Sequence, residues 1–344
     1  MLHQGPPITE MKPLIVLTQW VHPDVIDLLS AHARVIPNDT RKALGRKEIL
    51  RRAKRADALM VFMSDRVDEE FLDGCPRLKI VAAALKGFDN FDVEACTRRG
   101  IYFTIVPDLL TVPTAELAVG LMIALARQIE QGSSFVRSGR FRGWRPQFYG
   151  TGLAGMTAGI IGLGRVGKAL AQRLSPFEMK IVYYDKQPPA RELERSLGIV
   201  RVSLQQLLAE SDYVIPLVPL TSETYHLINH TRLRLMKAGA FLINTCRGSV
   251  INERDVARAL REGHLAGYAA DVFEMEDWAV EGRPRKIPEE LLKERERTLF
   301  TPHLGSAIDK VRHDIALEAA RNIIQALNGD APQGAINDPH RQLL

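Results

Sequence analysis

Three short segments concentrate the side chains that proton transfer at a bound anion requires. Asn244-Thr245-Cys246-Arg247-Gly248 offers a guanidinium, Asp271-Val272-Phe273-Glu274-Met275-Glu276 offers carboxylates, and Thr301-Pro302-His303-Leu304-Gly305-Ser306 offers an imidazole. A guanidinium grips an oxyanion bidentately, a histidine titrates near neutrality, and a neighbouring carboxylate favours its imidazolium form. Taken singly, Arg247 reads equally well as a surface ion pair and His303 as a helix cap. Their order and spacing, each at the end of a strand-like run, give the catalytic reading.

Upstream, the run Gly162-Leu163-Gly164-Arg165-Val166-Gly167 sits between an apolar strand-like stretch (158–161) and a helix-like one (168–174). That context turns a weak motif into a dinucleotide site. Gly162 permits the tight turn, Gly164 lets backbone approach a pyrophosphate, and Gly167 lets helix and strand pack closely. The helix N-terminus supplies N–H groups and a positive dipole end, and Arg165 adds a cation. Asp185 ends the next strand, roughly 20 residues on, where an acid accepts from ribose hydroxyls and repels a 2′-phosphate. This favours NAD over NADP, although Lys186 beside it weakens the exclusion. His226 and His230 have i,i+4 spacing but lack the intervening Glu and an obvious third ligand, so structural roles are expected and no metal. Cys75, Cys96 and Cys246 lack paired spacing and read as reduced thiols.

The elements that position these groups alternate between strand and helix from end to end. Segments 14–18, 58–62, 80–84 and 102–106 read as buried strands, with helices near 24–32, 46–55, 68–73 and 92–98. A long amphipathic helix is expected over 114–131, opened by Pro113, and then a loop of Arg, Gly and aromatic residues over 138–155. Alternation restarts with strands at 158–161, 180–184, 213–218, 240–244 and 267–272, and a last helix near 307–328. The fold class is α/β: two Rossmann-like or flavodoxin-like domains with parallel sheets. The glycine motif lies so deep in the chain that the nucleotide domain (113–304, with its linking helix and arm at 113–155) is inserted into the substrate domain (11–112 and 305–335). Ligands are expected in the cleft between them.

Length and composition agree. The 344 residues suit two domains, 46% are hydrophobic and 25% charged, and the net charge is +5. No apolar run is long enough for a membrane span. The pI near 9.1 invites a nucleic-acid reading, but acidic residues are interspersed throughout, and Arg51, Arg52, Lys54 and Arg55 read as a solvated helix face. No secretory signal is visible, residues 1–10 read as a flexible extension with Met11 as an alternative start, and a cytoplasmic enzyme is expected.

Together the glycine motif, N-x-x-R-G, D-V-F-x-x-E and H-x-G resemble the D-specific 2-hydroxyacid dehydrogenase family over about residues 13–330. The resemblance implies that Arg247 binds the substrate anion, that His303 is the acid/base held by Glu276, and that Asp271 bonds the nicotinamide carboxamide. It also implies cofactor contacts from Thr114, Leu163 and Val166, and a homodimer formed through the nucleotide domain and its arm.

One departure from the family stands out. The loop Ala84-Leu85-Lys86-Gly87 carries a lysine where the family has a small or hydroxyl residue. With Arg247 it makes two cations, which a compact dianion needs and a monocarboxylate does not. Met60-Val61-Phe62-Met63, Val106–Glu116, Arg142-Gly143-Trp144-Arg145-Pro146-Gln147-Phe148-Tyr149-Gly150 and the stretch 267–278 resemble the phosphite-oxidising branch of the family. That likeness implies that Met63, Leu85, Lys86, Gly87 and Arg247 bind phosphite, that Trp144, Gln147 and Tyr149 close over it, and that water activated by His303 is the nucleophile. The alternatives are a 2-hydroxyacid dehydrogenase of the glycerate, glyoxylate or hydroxypyruvate type, and an NAD-sensing binding protein of the co-repressor type.

Overall fold

The computed structural model describes residues 12–340, so the expected extension at 1–10 lies outside the described residues. The chain divides into two units. One comprises the residues up to Pro107 with those from Asp309 onward, and the other is Asp108–Ile308, inserted between them.

The first unit holds β1 (Leu14–Leu17), β2 (Arg34–Ile36), β3 (Ala58–Val61), β4 (Ile80–Ala83) and β5 (Tyr102–Thr104). They form a parallel sheet in the order β2-β1-β3-β4-β5. Every residue of β1, β3 and β4 is buried, as befits strands covered on both faces. Helix Asp309–Leu327 brings the end of the chain back onto this sheet, burying Ile315, Ala316, Ala319, Ala320 and Ile323. On helix Arg46–Ala53, Arg51 and Arg52 both bond Glu48 at 2.7 Å, a solvated ion-pair face.

His313 ties the last helix to the first, Pro23–His32, through Asp24 at 2.6 Å. Its bonds to Asp24 and Asp314 raise its pKa above 6.5. The stabilisation is therefore full below about pH 6.5 and lost as pH rises through the raised value. The melting-temperature gap between wild type and His313→Gln should shrink as pH rises across that window; a gap independent of pH would refute the linkage.

The second unit holds β6 (Thr157–Ile161), β7 (Lys180–Tyr184), β8 (Ile199–Arg201), β9 (Tyr213–Pro216), β10 (Ala240–Asn244), β11 (Leu265–Ala270) and β12 (Thr298–Phe300). All pair in parallel, in the order β12-β11-β10-β9-β6-β7-β8. The order reverses between β6 and β9, the switch point where open α/β sheets bind ligands. Strands β2, β8 and β12 lie at sheet edges and carry half-exposed residues, so no apolar run announces them.

The helix expected over 114–131 is two helices, Thr111–Ala126 and Ile129–Arg137, bent by 62°. Gln128 breaks them in a left-handed conformation, φ +52°. The returning chain explains the break: Thr151 donates to the Ala126 carbonyl at 3.0 Å, and a Cβ on Gly150 would lie 2.0 Å from that oxygen. The first helix is apolar because it is buried against helix Arg165–Leu174 and strands β10 and β11. No single helix among the described residues is long and apolar enough to cross a membrane.

Candidate active site

At the end of β6 the three glycines have distinct physical reasons. Gly162 has φ +97°, and a Cβ there would stand 2.6 Å from the Leu217 carbonyl, just past β9. A Cβ on Gly167 would meet the Gly162 carbonyl at 2.3 Å. Gly164 faces open space, with no atom within 4 Å of its would-be Cβ. Helix Arg165–Leu174 starts directly after it, three residues earlier than the sequence suggests, with no side chain capping its first N–H groups. A backbone cradle opening onto free N–H donors fits a pyrophosphate.

Asp185 is positioned by the same turn. Leu163 donates to its Oδ2 at 2.6 Å and Gln187 to its Oδ1 at 2.8 Å. Lys186 is paired with Glu223 on the surface, a weak pairing that a 2′-phosphate can displace. Arg165 pairs with Asp108 at 2.5 Å, and Val166 is half-buried on the helix's first turn. Replacing Asp185 by Ala should raise the NADP-to-NAD ratio of kcat/KM by about tenfold, the scale of one lost charge repulsion. An unaltered ratio would remove Asp185 as the discriminator.

The Arg247, Glu276 and His303 segments converge. The Asn244 side chain spans the turn after β10, accepting from Cys246 N–H at 3.1 Å and donating to the Arg247 carbonyl at 3.0 Å. Arg247 itself is half-buried and bonds the Cys246 carbonyl at 2.8 Å. Gly248 lies against the backbone of Phe273 and Glu274 so closely that a Cβ would overlap both. Ser249 N–H donates to Asp277 at 2.6 Å. Glu276 accepts from Phe273 N–H at 2.9 Å with one oxygen and meets His303 Nδ1 at 2.7 Å with the other. A carboxylate on Nδ1 fixes that proton and leaves the Nε2 lone pair as the base. His303 has φ +58°, uncommon for a residue with a side chain.

Asp271 holds His303 in that conformation. It accepts from Thr301 Oγ1 at 2.6 Å, Leu304 N–H at 2.6 Å and Gly305 N–H at 2.8 Å. It is 1% exposed, and burial raises its pKa despite those bonds. Its observed role is thus in the turn that carries the imidazole, and a bond to a carboxamide would be additional. Thr114 reaches the same turn, with Oγ1 3.5 Å from the Gly305 carbonyl.

In the first unit, Met63 follows β3 and Leu85, Lys86 and Gly87 follow the adjacent β4. Asn90 Nδ2 links the two loops by donating to the Met63 carbonyl at 2.9 Å. Lys86 is half-buried and Leu85 buried. On the arm, Trp144 and Tyr149 are 82% and 74% exposed, and no hydrogen bond or ring contact among the described residues joins Trp144, Gln147 or Tyr149 to His303. His226 is half-buried and engaged with Glu274 at 2.8 Å, and His230 opens the helix His230–Leu235. Cys75 and Cys96 are buried, which pushes their thiols up to about 11 and about 12. Sequence reasoning missed Asn244, Asp277, Glu253 and Glu274 as organisers of the site; two of them stand inside the quoted motifs.

The family model described as D-isomer specific 2-hydroxyacid dehydrogenase, NAD binding domain, matches residues 119–305. Glyoxylate reductase of Pyrococcus horikoshii is 41% identical over 332 residues, covering 95% of this chain and 96% of that protein. Among solved structures, the TT0316 protein from Thermus thermophilus superposes with a TM-score of 0.85 at 34% identity, over 94% of this chain and 100% of that one. D-lactate dehydrogenase from Aquifex aeolicus, solved with NAD and lactic acid, gives 0.79 at 28% identity over 92% and 96%. The chain belongs to the D-isomer specific 2-hydroxyacid dehydrogenase family, and it is an NAD-dependent oxidoreductase.

Proposed function

We propose that the protein oxidises phosphite to phosphate: phosphite, water and NAD⁺ give phosphate, NADH and a proton. The observation that carries this reading is Lys86, a half-buried cation in the loop after β4. The family resemblance assigns Lys86 and Arg247 to the same small anion, and on that assignment they supply it with two positive charges. A doubly charged oxyanion taken out of water needs both, because each unpaired buried charge costs several kcal/mol.

When bound, NAD⁺ supplies a hydride acceptor at its nicotinamide ring. Arg247 and Lys86 hold the phosphite oxygens and stabilise the charge that builds as water adds to phosphorus. His303 Nε2 takes the proton of that water, and Glu276 keeps the ring oriented and stabilises the imidazolium that forms. The exposed aromatic arm, with Phe141, Trp144 and Tyr149, is covered by a second copy in a proposed homodimer, which light scattering of the purified protein reads directly.

The second reading, reduction of glyoxylate or a similar 2-oxo acid, is the one the relatives' names favour, at 40–41% identity along the chain. The deciding assay supplies phosphite with NAD⁺ and, in parallel, glyoxylate with NADH. Equal amounts of NADH and phosphate support phosphite oxidation; glyoxylate turnover with phosphite inert supports the second reading. Lys86→Ala should raise the phosphite KM by about tenfold or more, the scale of one charge-assisted bond. An unchanged KM would take Lys86 out of the site.

A further inference from the structure

Behind Arg247 and Glu276 lies a buried acidic corner that the chemistry above does not use. Glu253, the first residue of helix Glu253–Arg261, is 1% exposed, and Glu274 is 7% exposed. Their carboxylates exchange backbone donors: Glu274 N–H bonds Glu253 Oε1 at 2.8 Å, and Glu253 N–H bonds Glu274 Oε1 at 3.0 Å. The other oxygen of Glu274 meets His226 Nε2 at 2.8 Å. His226 is itself held at φ +47°, with its N–H on the Ser249 carbonyl at 2.7 Å. One carboxylate therefore joins the His226 turn, the start of a helix and the turn bearing Glu276. Two of them close on the segment that follows Arg247, the His226 turn through the Ser249 carbonyl and the Glu276 turn through the backbone packed on Gly248.

We propose that Glu274, paired with Glu253, is a positioning residue for the reaction, holding the Arg247 and Glu276 turns in mutual register. The inference rests on the assignment of Arg247, Glu276 and His303 as the reacting set. The groups facing Glu253 are Glu274, Glu276 and Asp277 from the turn, the buried Tyr268 hydroxyl from β11 and, through Glu274, His226. Most are acidic, and Glu253 Oε2 has no hydrogen-bond partner among the described residues. Burial raises Glu253 to about 8. Ionisation of Glu253 in that range places a charge on a buried, unpartnered oxygen beside Glu274. The register then loosens as pH rises through that range.

The test compares wild type, Glu253→Gln and Glu274→Gln across pH, using whichever of phosphite or glyoxylate turns over. Wild-type kcat should fall about tenfold per pH unit above the Glu253 range, as for one ionisation. Glu253→Gln, which cannot ionise, should lose that fall. Glu274→Gln should lower kcat by about tenfold with NAD affinity, read by fluorescence titration, unchanged. Hydrogen exchange supplies a readout free of turnover. At alkaline pH, peptides covering 247–253 and 271–278 should exchange faster in wild type than in Glu253→Gln at the same pH. An alkaline fall in Glu253→Gln equal to that of wild type, or equal exchange in those peptides, would overturn the proposal. Failure of the substrate reading shows separately, as no turnover of phosphite by wild type.

Discussion

His303→Ala loses turnover by a factor of about 10²–10⁴, the usual contribution of a positioned acid/base, while NAD still binds. The site explains why the loss is chemical. Glu276 occupies Nδ1 at 2.7 Å, so Nε2 is the basic atom, and no other imidazole replaces it in the Asp271–Gly305 network. The backbone complicates the Ala variant, because φ is +58° at this position, a region that His and Asn enter more readily than Ala. His303→Asn separates the two effects, since Asn tolerates the left-handed region and cannot act as the base. Both variants should be equally inactive, with Asn the more stable. Steady-state kinetics with a parallel NAD titration measure this, and substantial activity in the Asn variant would sink the assignment of His303 as the base.

Gly248→Ala should be nearly as damaging, although glycine has no reactive atom. The added Cβ would fall 1.8 Å from the Phe273 carbonyl carbon, 2.1 Å from Glu274 N and 2.2 Å from the Phe273 carbonyl oxygen. All three are backbone atoms, so no side chain can rotate away. The Arg247 and Glu276 turns must separate by about 1 Å, and a misplacement of that size can cost about 10²-fold in rate. Overpacking of this kind also destabilises by about 1–3 kcal/mol. Activity should fall by more than the loss of folded protein accounts for, as judged by kcat per active site beside a thermal melt. A variant with wild-type kcat would show that the two turns have slack.

Much of this site is legible in the sequence because chemistry constrains residue type there. The glycine run, Asp185, Arg247, Glu276 and His303 all lie where strands end, and the family and NAD follow from them. The parts that are not legible depend on tertiary neighbours. Gln128 adopts a left-handed conformation because the chain returns at Gly150 and Thr151, and nothing in a glutamine signals it. Strands β2, β8 and β12 have only one neighbour each and need no apolar run. Glu253 looks like an ordinary first-turn helix acid, favourable at that dipole end; only the fold shows it buried against Glu274. The identity of the anion is the least legible, because relatives about 40% identical along the chain carry the name glyoxylate reductase, and the phosphite reading rests on Lys86 and on segments beside the catalytic motifs.

The bond from Leu163 N–H to Asp185 also bears on how cofactor preference can change in this lineage. If Asp185 screens the ribose, as its place after the glycine motif implies, the carboxylate that closes the glycine turn serves both traits, and they share a single mutational target. A change that admits the phosphorylated cofactor by deleting the acid also removes the acceptor on which the turn closes. Drift toward the other cofactor therefore passes through a weakened loop, because even an amide offers one acceptor oxygen to the two N–H donors of Leu163 and Gln187. Asp185→Asn sheds the charge and keeps one of the two acceptors, whereas Asp185→Ala keeps neither, so each gain in cofactor range carries its own cost in the turn.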